Sequence, residues 1–214
     1  MKTLNYSTVT LNELEEFFDI EKINDKKAFE NWFLGEYQIS NEEQSFLEAL
    51  IKKHSNKIVN YTELELISKF IAPILNKIDF EFEDAHIRDF YETALKYELD
   101  DVIFNGRCDY VVAKGYSSPI EPYFFIQEFK QSSASFPEDQ LLAEMIIATY
   151  INDSDSIKGA YIMGSVWSFV ILKKVADREY KYFISKKYDS MDIDDLRQIY
   201  KNLQIVKREI DESH

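Results

Sequence analysis

Between positions 101 and 130 the chain carries its densest strand signal. VIFN and RCDYVVAK are followed by PYFFIQEFK, all rich in β-branched and aromatic residues and divided by the GYSSP turn at 115–119. A chain with such a centre cannot be all-helical, and the pattern predicts a hairpin or meander there. Helical spacing surrounds it. Over 11–55, Leu11, Leu14, Phe17 and Phe18, then Phe29, Trp32 and Phe33, then Phe46, Leu47, Leu50 and Ile51 recur at intervals of three and four. Ser40, with Glu43 three residues on, reads as a capping box opening the third of these helices, and 56–60 as the connection to the next. That helix starts at Thr62, with Glu65 three residues later, and runs through Leu64, Ile67, Phe70, Ile71, Ile74 and Leu75; Pro73 is expected to kink or loosen its last turn. Beyond Asp79, FEFEDAHIRDFYETAL alternates at Phe80 and Phe82 and then follows no clear period. Positions 137–150 return to helical spacing, GAYIMGSVWSFVILKK and REYKYFISKKY are further strand candidates, and a last helix is predicted over 192–208. This order predicts a single mixed α/β domain with a central sheet.

Composition narrows the function classes. A hydrophobic fraction of 45%, an aromatic fraction of 15%, five Gly and four Pro in 214 residues exclude a disordered chain and leave little room for linkers. The one cysteine, Cys108, excludes an internal disulfide, and with His54, His86 and His214 at no ligand spacing from one another a zinc cluster is not expected. MKTLNYSTVTLNELEEFF reaches acidic residues before an apolar stretch forms, and the longest uncharged apolar run, 145–151, is too short for a bilayer. A cytoplasmic protein without a membrane partner is the expectation. Thirty-nine acidic against 25 basic residues give a net charge of −14, which repels nucleic acid at long range. A nucleic-acid function would therefore rest on a local basic patch or on bound cations; the Lys52-Lys53, Lys173-Lys174, Lys186-Lys187 and Lys207-Arg208 doublets are scattered and read first as solvated faces.

One constellation carries chemistry. Glu128 and Lys130, two residues apart on a strand, share a face with each other and with Phe124 and Ile126, so two charges continue an apolar row and each needs a partner. Asp109 sits in the preceding strand, across the 115–119 turn, where it would be a neighbour. Two carboxylates with open water positions suit Mg²⁺ or Mn²⁺, and a lysine beside them can orient a water or stabilise a phosphate anion. On a wheel of about 100° per residue, Glu63 falls with Leu66, Ile67, Phe70, Ile71 and Ile74, whereas Glu65 points away, which predicts Glu63 as an acid on the buried face and a third ligand. Gln140 and Glu144, one turn apart on the following helix, are both in reach of the same strand end.

At these residues the sequence resembles the PD-(D/E)XK nuclease superfamily, the fold of many restriction endonucleases. The matching positions are Glu63 on the preceding helix, Asp109 in a G-R-x-D strand, Glu128-Phe129-Lys130 as the E-x-K strand, and Gln140 on the next helix; Cys108 stands where the motif has its proline. ELISKFIAPIL, GRCDYVVA, EPYFFIQEFK and QLLAEMIIA look more closely like an uncharacterised bacterial family within that superfamily, which brings no substrate. The resemblance covers roughly 62–151. It implies an α/β restriction endonuclease-like core (αβββαβ) over 59–214 with a central mixed sheet, and an N-terminal helical extension over 1–58. It also implies a Mg²⁺- or Mn²⁺-dependent nuclease in which Glu63, Asp109 and Glu128 bind metal, Lys130 positions the attacking water, Gln140 belongs to the site, and nucleic acid, DNA rather than RNA, is the partner.

Other readings stand beside it. Glu128 and Lys130 also read as a structural ion pair, Asp109 as a partner of Arg107, Glu63 as an acid stabilised by the helix dipole, Gln140 as a surface residue and Cys108 as packing. The alternative function is a non-catalytic binding or regulatory protein on the same fold, and a third is an enzyme for a small phosphate ester. The oligomeric state is left open, a homodimer included.

Overall fold

The computed structural model describes residues 1–131 and 137–213, so His214 lies outside the described residues. In chain order the elements are β1 (Lys2–Asn5), α1 (Leu11–Leu14), β2 (Asp19–Lys22), α2 (Glu30–Phe33), α3 (Asn41–His54), α4 (Glu63–Leu66), α5 (Ala72–Ile78), β3 (Ile87–Leu99), β4 (Val102–Lys114), β5 (Ile120–Lys130), α6 (Pro137–Asn152), β6 (Ser156–Met163), β7 (Val166–Ala176), β8 (Glu179–Ile184), β9 (Tyr188–Asp189) and α7 (Ile193–Glu212). These strands join one mixed sheet in the order β1-β4-β5-β6-β7-β8-β2, with β3 also on β4 and β9 also on β7. As expected, β4 and β5 are antiparallel neighbours, and β6 then runs parallel to β5. That parallel step requires a crossover, which α6 supplies.

Two apolar layers sandwich the sheet. On one face Leu141, Leu142, Met145 and Ile146 of α6 meet Val111, Ile126 and Leu172. On the other, Leu47 and Leu50 of α3, Ile74 and Leu75 of α5, and Ile199 and Leu203 of α7 meet Val112, Phe125, Phe129 and Phe169. The sequences of α6 and α7 reflect this. Every residue of α6 from Gln140 to Thr149 is buried, whereas α7 buries Leu196, Ile199, Tyr200, Leu203, Val206 and Ile210 at helical spacing and leaves its charges outside. Gly159 lets α6 lie close on β6: a Cβ there would stand 2.8 Å from the Ile126 carbonyl oxygen and 3.1 Å from Met145 Sδ.

Several expectations hold, and others are corrected. Ser40 and Thr62 form their capping boxes with Glu43 and Glu65. The 1–58 stretch is not wholly helical, because β1 pairs in parallel with β4 and β2 with β8. Four-residue strands carry too little pattern to announce themselves; pairing across the chain decides them. VIFN and RCDYVVAK are one strand, β4, and the segment without a clear period is its partner β3, joined through a two-residue turn in which Asp100 has φ 27°. Pro73 does not end its helix, which reaches Ile78; the loosening falls before it, as a π turn over Ile67–Ile71 that leaves Pro73 in the first turn of α5.

Glu43 also ties three parts of the helical layer together. Its carboxylate accepts hydrogen bonds from Tyr37 Oη (2.6 Å), Tyr200 Oη (2.8 Å) and the Ser40 N–H (2.8 Å). Burial works against the charge, but these bonds outweigh it and hold the carboxyl at about 2. A carboxyl depressed on folding adds stability that is present above its unfolded value, about 4.3, and is lost as pH falls through the folded one. Glu43→Gln is therefore expected to lower the melting temperature at neutral pH and to flatten its decline towards pH 2, which calorimetry across that range will show.

Candidate active site

β4 is paired on one side by two strands placed end to end: β1 along Val102 to Asn105, and β5 along Tyr110 to Lys114. Asp109 falls in the gap. Where β5 outruns its partner, the Phe129 N–H needs an acceptor, and Asp109 Oδ2 supplies it at 2.8 Å. The alternation of β4 breaks at the same place, since Phe104 and Cys108 share a layer with Val111 and Ala113. Opposite the break, Glu92 of β3 has φ 48°, and its carbonyl accepts a 2.8 Å bond from Arg107 Nη1. Arg107 thus serves the backbone bend and does not pair with Asp109.

Lys130, at the C-terminal end of β5, donates to Glu128 Oε1 and reaches Asp109 Oδ2 at 3.4 Å. Glu128 is fully buried, while the side chains of Lys130 and Asp109 keep 17% and 11% exposure, so the site opens to solvent on their side. Behind Glu128, on α6, lies a second buried acid, Glu144, whose Oε1 accepts from Gln140 Nε2 at 3.3 Å. Gln140 is buried as well and so is no surface residue. Phe124 does not share the face of Ile126: the register moves from Val112 opposite Phe125 to Ala113 opposite Tyr123, and the extra residue turns to the other layer.

Three carboxyl groups face one ammonium. Burial acts to lower the Lys130 ammonium, and the charges of Glu128, Asp109 and Glu63 overcome it and hold it above its usual range. Burial first, then Glu144 and Asp109, push Glu128 well above the usual carboxylate range. Burial and Asp109 do the same to Glu144, against hydrogen bonds from Gln140 and Cys108. The lysine bonds Glu128 directly, and Glu144 has no such cation bonded to it, so the ammonium favours charge on Glu128 over charge on Glu144. An acid whose pKa rises on folding stabilises the protein at low pH and ceases to as pH rises through the folded value. Glu144→Gln, a mimic of the protonated acid, is expected to raise the melting temperature at neutral and alkaline pH relative to wild type and to change it little below the unfolded value, about pH 4.

Glu63 is placed differently from its prediction. It is exposed in the first turn of α4, it makes no hydrogen bond or ion pair with the cluster, and only its charge reaches Lys130. The wheel failed because the π turn at Ile67–Ile71 inserts a residue and rotates α4 against α5 about the helix axis. Tyr6 went unmarked in the sequence, yet its ring covers Gly106, where a Cβ would lie 2.7 Å away. Its buried hydroxyl has no hydrogen-bond partner among the described residues, and burial, then Cys108 and Glu144, hold its ionisation above the usual range.

The donors suit a hard divalent cation in kind and charge. They are carboxylates only, in excess over the ammonium, and Glu128 Oε2 and Glu144 Oε2 are buried without a hydrogen-bond partner among the described residues. Among the described residues no three His, Cys, Asp or Glu side chains are gathered closely enough to hold an ion, and Lys130 Nζ bonds both Asp109 and Glu128 in this arrangement. Also among the described residues, no helix is long and apolar enough to cross a membrane.

No protein-family model matches the sequence, and no curated protein matches it either. Among solved structures, the chain is similar to one in a cryo-EM structure of a DrdV–DNA complex, with 14% identity and a TM-score of 0.40. The match covers 75% of this chain and 14% of that one.

Proposed function

We propose that the protein is a metal-dependent phosphodiesterase acting on nucleic acid, with Asp109, Glu128 and Lys130 as its catalytic groups. The observation that carries this reading is the convergence of Asp109 and the Glu128-Lys130 pair at the place where β4 and β5 part. The element order from α5 through β3, β4, β5 and α6 to β6 also follows the αβββαβ order of the restriction endonuclease-like core. Mg²⁺ or Mn²⁺ bound by Asp109 and Glu128 would supply Lewis-acid charge for the phosphate oxygens and ease deprotonation of a water. Lys130 donates hydrogen bonds to the attacking water or a phosphate oxygen, held in place by both carboxylates. Gln140 orients Glu144, whose charge acts on Glu128 from behind. Glu63 adds negative potential from the rim of the site and is the weakest of the proposed metal ligands.

A titration of Mn²⁺ into the protein tests this directly. Binding is expected, with Asp109→Asn weakening it at least about tenfold, as loss of one charged ligand should, and Glu63→Gln weakening it less. Heat identical for wild type and Asp109→Asn would remove the metal from the reading.

A further inference from the structure

We propose that the cavity between β2 and the β8–β9 segment, beside the Glu128 cluster, binds a backbone phosphate of the same nucleic-acid strand that Lys130 engages. This rests on the phosphodiesterase reading above and adds to it a place for the strand beyond the scissile bond. Glu128 lies beside Tyr161 on β6, and Tyr161 beside Ser168 on β7. Residues paired across a sheet project from the same face, so the three side chains form one row. Tyr161 and Ser168 line a cavity of about 610 Å³ whose walls carry Lys22, Ser185 and Lys187.

Two rulers give its distance from the cluster. Two strand spacings from Glu128 to Ser168 make about 10 Å, and six residues along α6, from Glu144 behind Glu128 to Glu138 in the cavity, make about 9 Å. Either length spans only a few nucleotides of a strand, at about 3.4 Å rise each.

The charge of the cavity is opposite to that of the protein. Glu138, its one acid, is already engaged: Lys22 Nζ lies at 2.9 Å, and Tyr182 and Tyr161 donate to it at 3.1 and 3.4 Å. Lys187, on the opposing wall, has no hydrogen bond or ion pair among the described residues and is exposed. Two lysines against one carboxylate leave a net positive cavity on a chain of net charge −14. An anion is the ligand such a wall takes, and hydroxyls and an unpaired ammonium suit phosphate oxygens. Of the functions the acidic surface opposes, strand binding is the one this patch restores locally.

The test is fluorescence anisotropy of a short labelled DNA strand across a salt series, with turnover on the same strand and on bis(p-nitrophenyl) phosphate. Lys187→Glu is expected to weaken strand binding by about tenfold and to reduce the salt slope by about one. Hydrolysis of the small diester, which does not extend to the cavity, should stay as in wild type. Lys201→Glu, on α7 in the opposite layer, should alter neither. If Lys187→Glu matches wild type in affinity and slope while wild type cleaves the strand, this inference falls and the catalytic reading stands. An equal loss in Lys201→Glu would also overturn it, as a bulk charge effect. A wild-type protein that hydrolyses neither substrate overturns the catalytic reading and this inference together.

Discussion

Lys130→Ala is expected to lose turnover by at least about a thousandfold, the upper part of the range for a group that stabilises charge or moves a proton at the reacting centre. The same change should cost about 3 kcal/mol of stability in EDTA, the lower end of the range for breaking a mostly buried pair by removing one partner. The reason lies in the charge count: without the ammonium, Asp109 and Glu128 face Glu144 with no cation among them. Addition of Mn²⁺ should recover much of that stability, because a dication takes over the ammonium's charge, but should not recover turnover. This pairing separates the catalytic reading from the structural one. A lysine kept only for an ion pair would show the stability loss with no activity to lose and no rescue by metal.

Asp109 divides its work between structure and chemistry, and two substitutions should divide them again. Asp109→Ala leaves the Phe129 N–H without its acceptor, at a cost of about 1–3 kcal/mol for an unsatisfied buried donor. Asp109→Asn keeps an oxygen for that N–H and loses only the charge, so its melting temperature should stay close to wild type. Both variants should lose turnover by about a hundredfold or more, since neither offers a charged ligand. Thermal melts and cleavage rates on the two proteins side by side give the comparison; an active Asp109→Asn protein would leave Asp109 a purely structural residue.

The centre of the molecule was legible in the sequence because its signals are local. The β-branched runs around Asp109 and Glu128 gave adjacent antiparallel strands, and the polar interruption of an apolar row at Glu128 and Lys130 marked the place where they part. Capping boxes at Ser40 and Thr62 set helix starts for the same reason. What was not legible depended on distant partners or on irregular geometry. β1 and β2 are strands because β4 and β8 present open edges to them. Glu63 was misplaced because a helical wheel assumes a constant turn, and a π turn intervenes. Glu144 was in view as a neighbour of Gln140, but its burial behind Glu128 results from α6 being covered on all sides, a state in which helical period is lost. A single acid within the apolar run LLAEMIIA was the available signal. Tyr6 offered none, since only the fold brings it over Gly106.

The most direct measurement is cleavage of single- and double-stranded DNA and RNA by purified wild-type protein and its Lys130→Ala variant, in Mg²⁺, in Mn²⁺ and in EDTA. The expected result is hydrolysis by wild type with either metal, none in EDTA, and none by the variant under any condition. Wild-type protein inactive on every substrate with both metals, and indistinguishable there from Lys130→Ala, would contradict the account and make the carboxylate-lysine cluster a structural element of a binding protein.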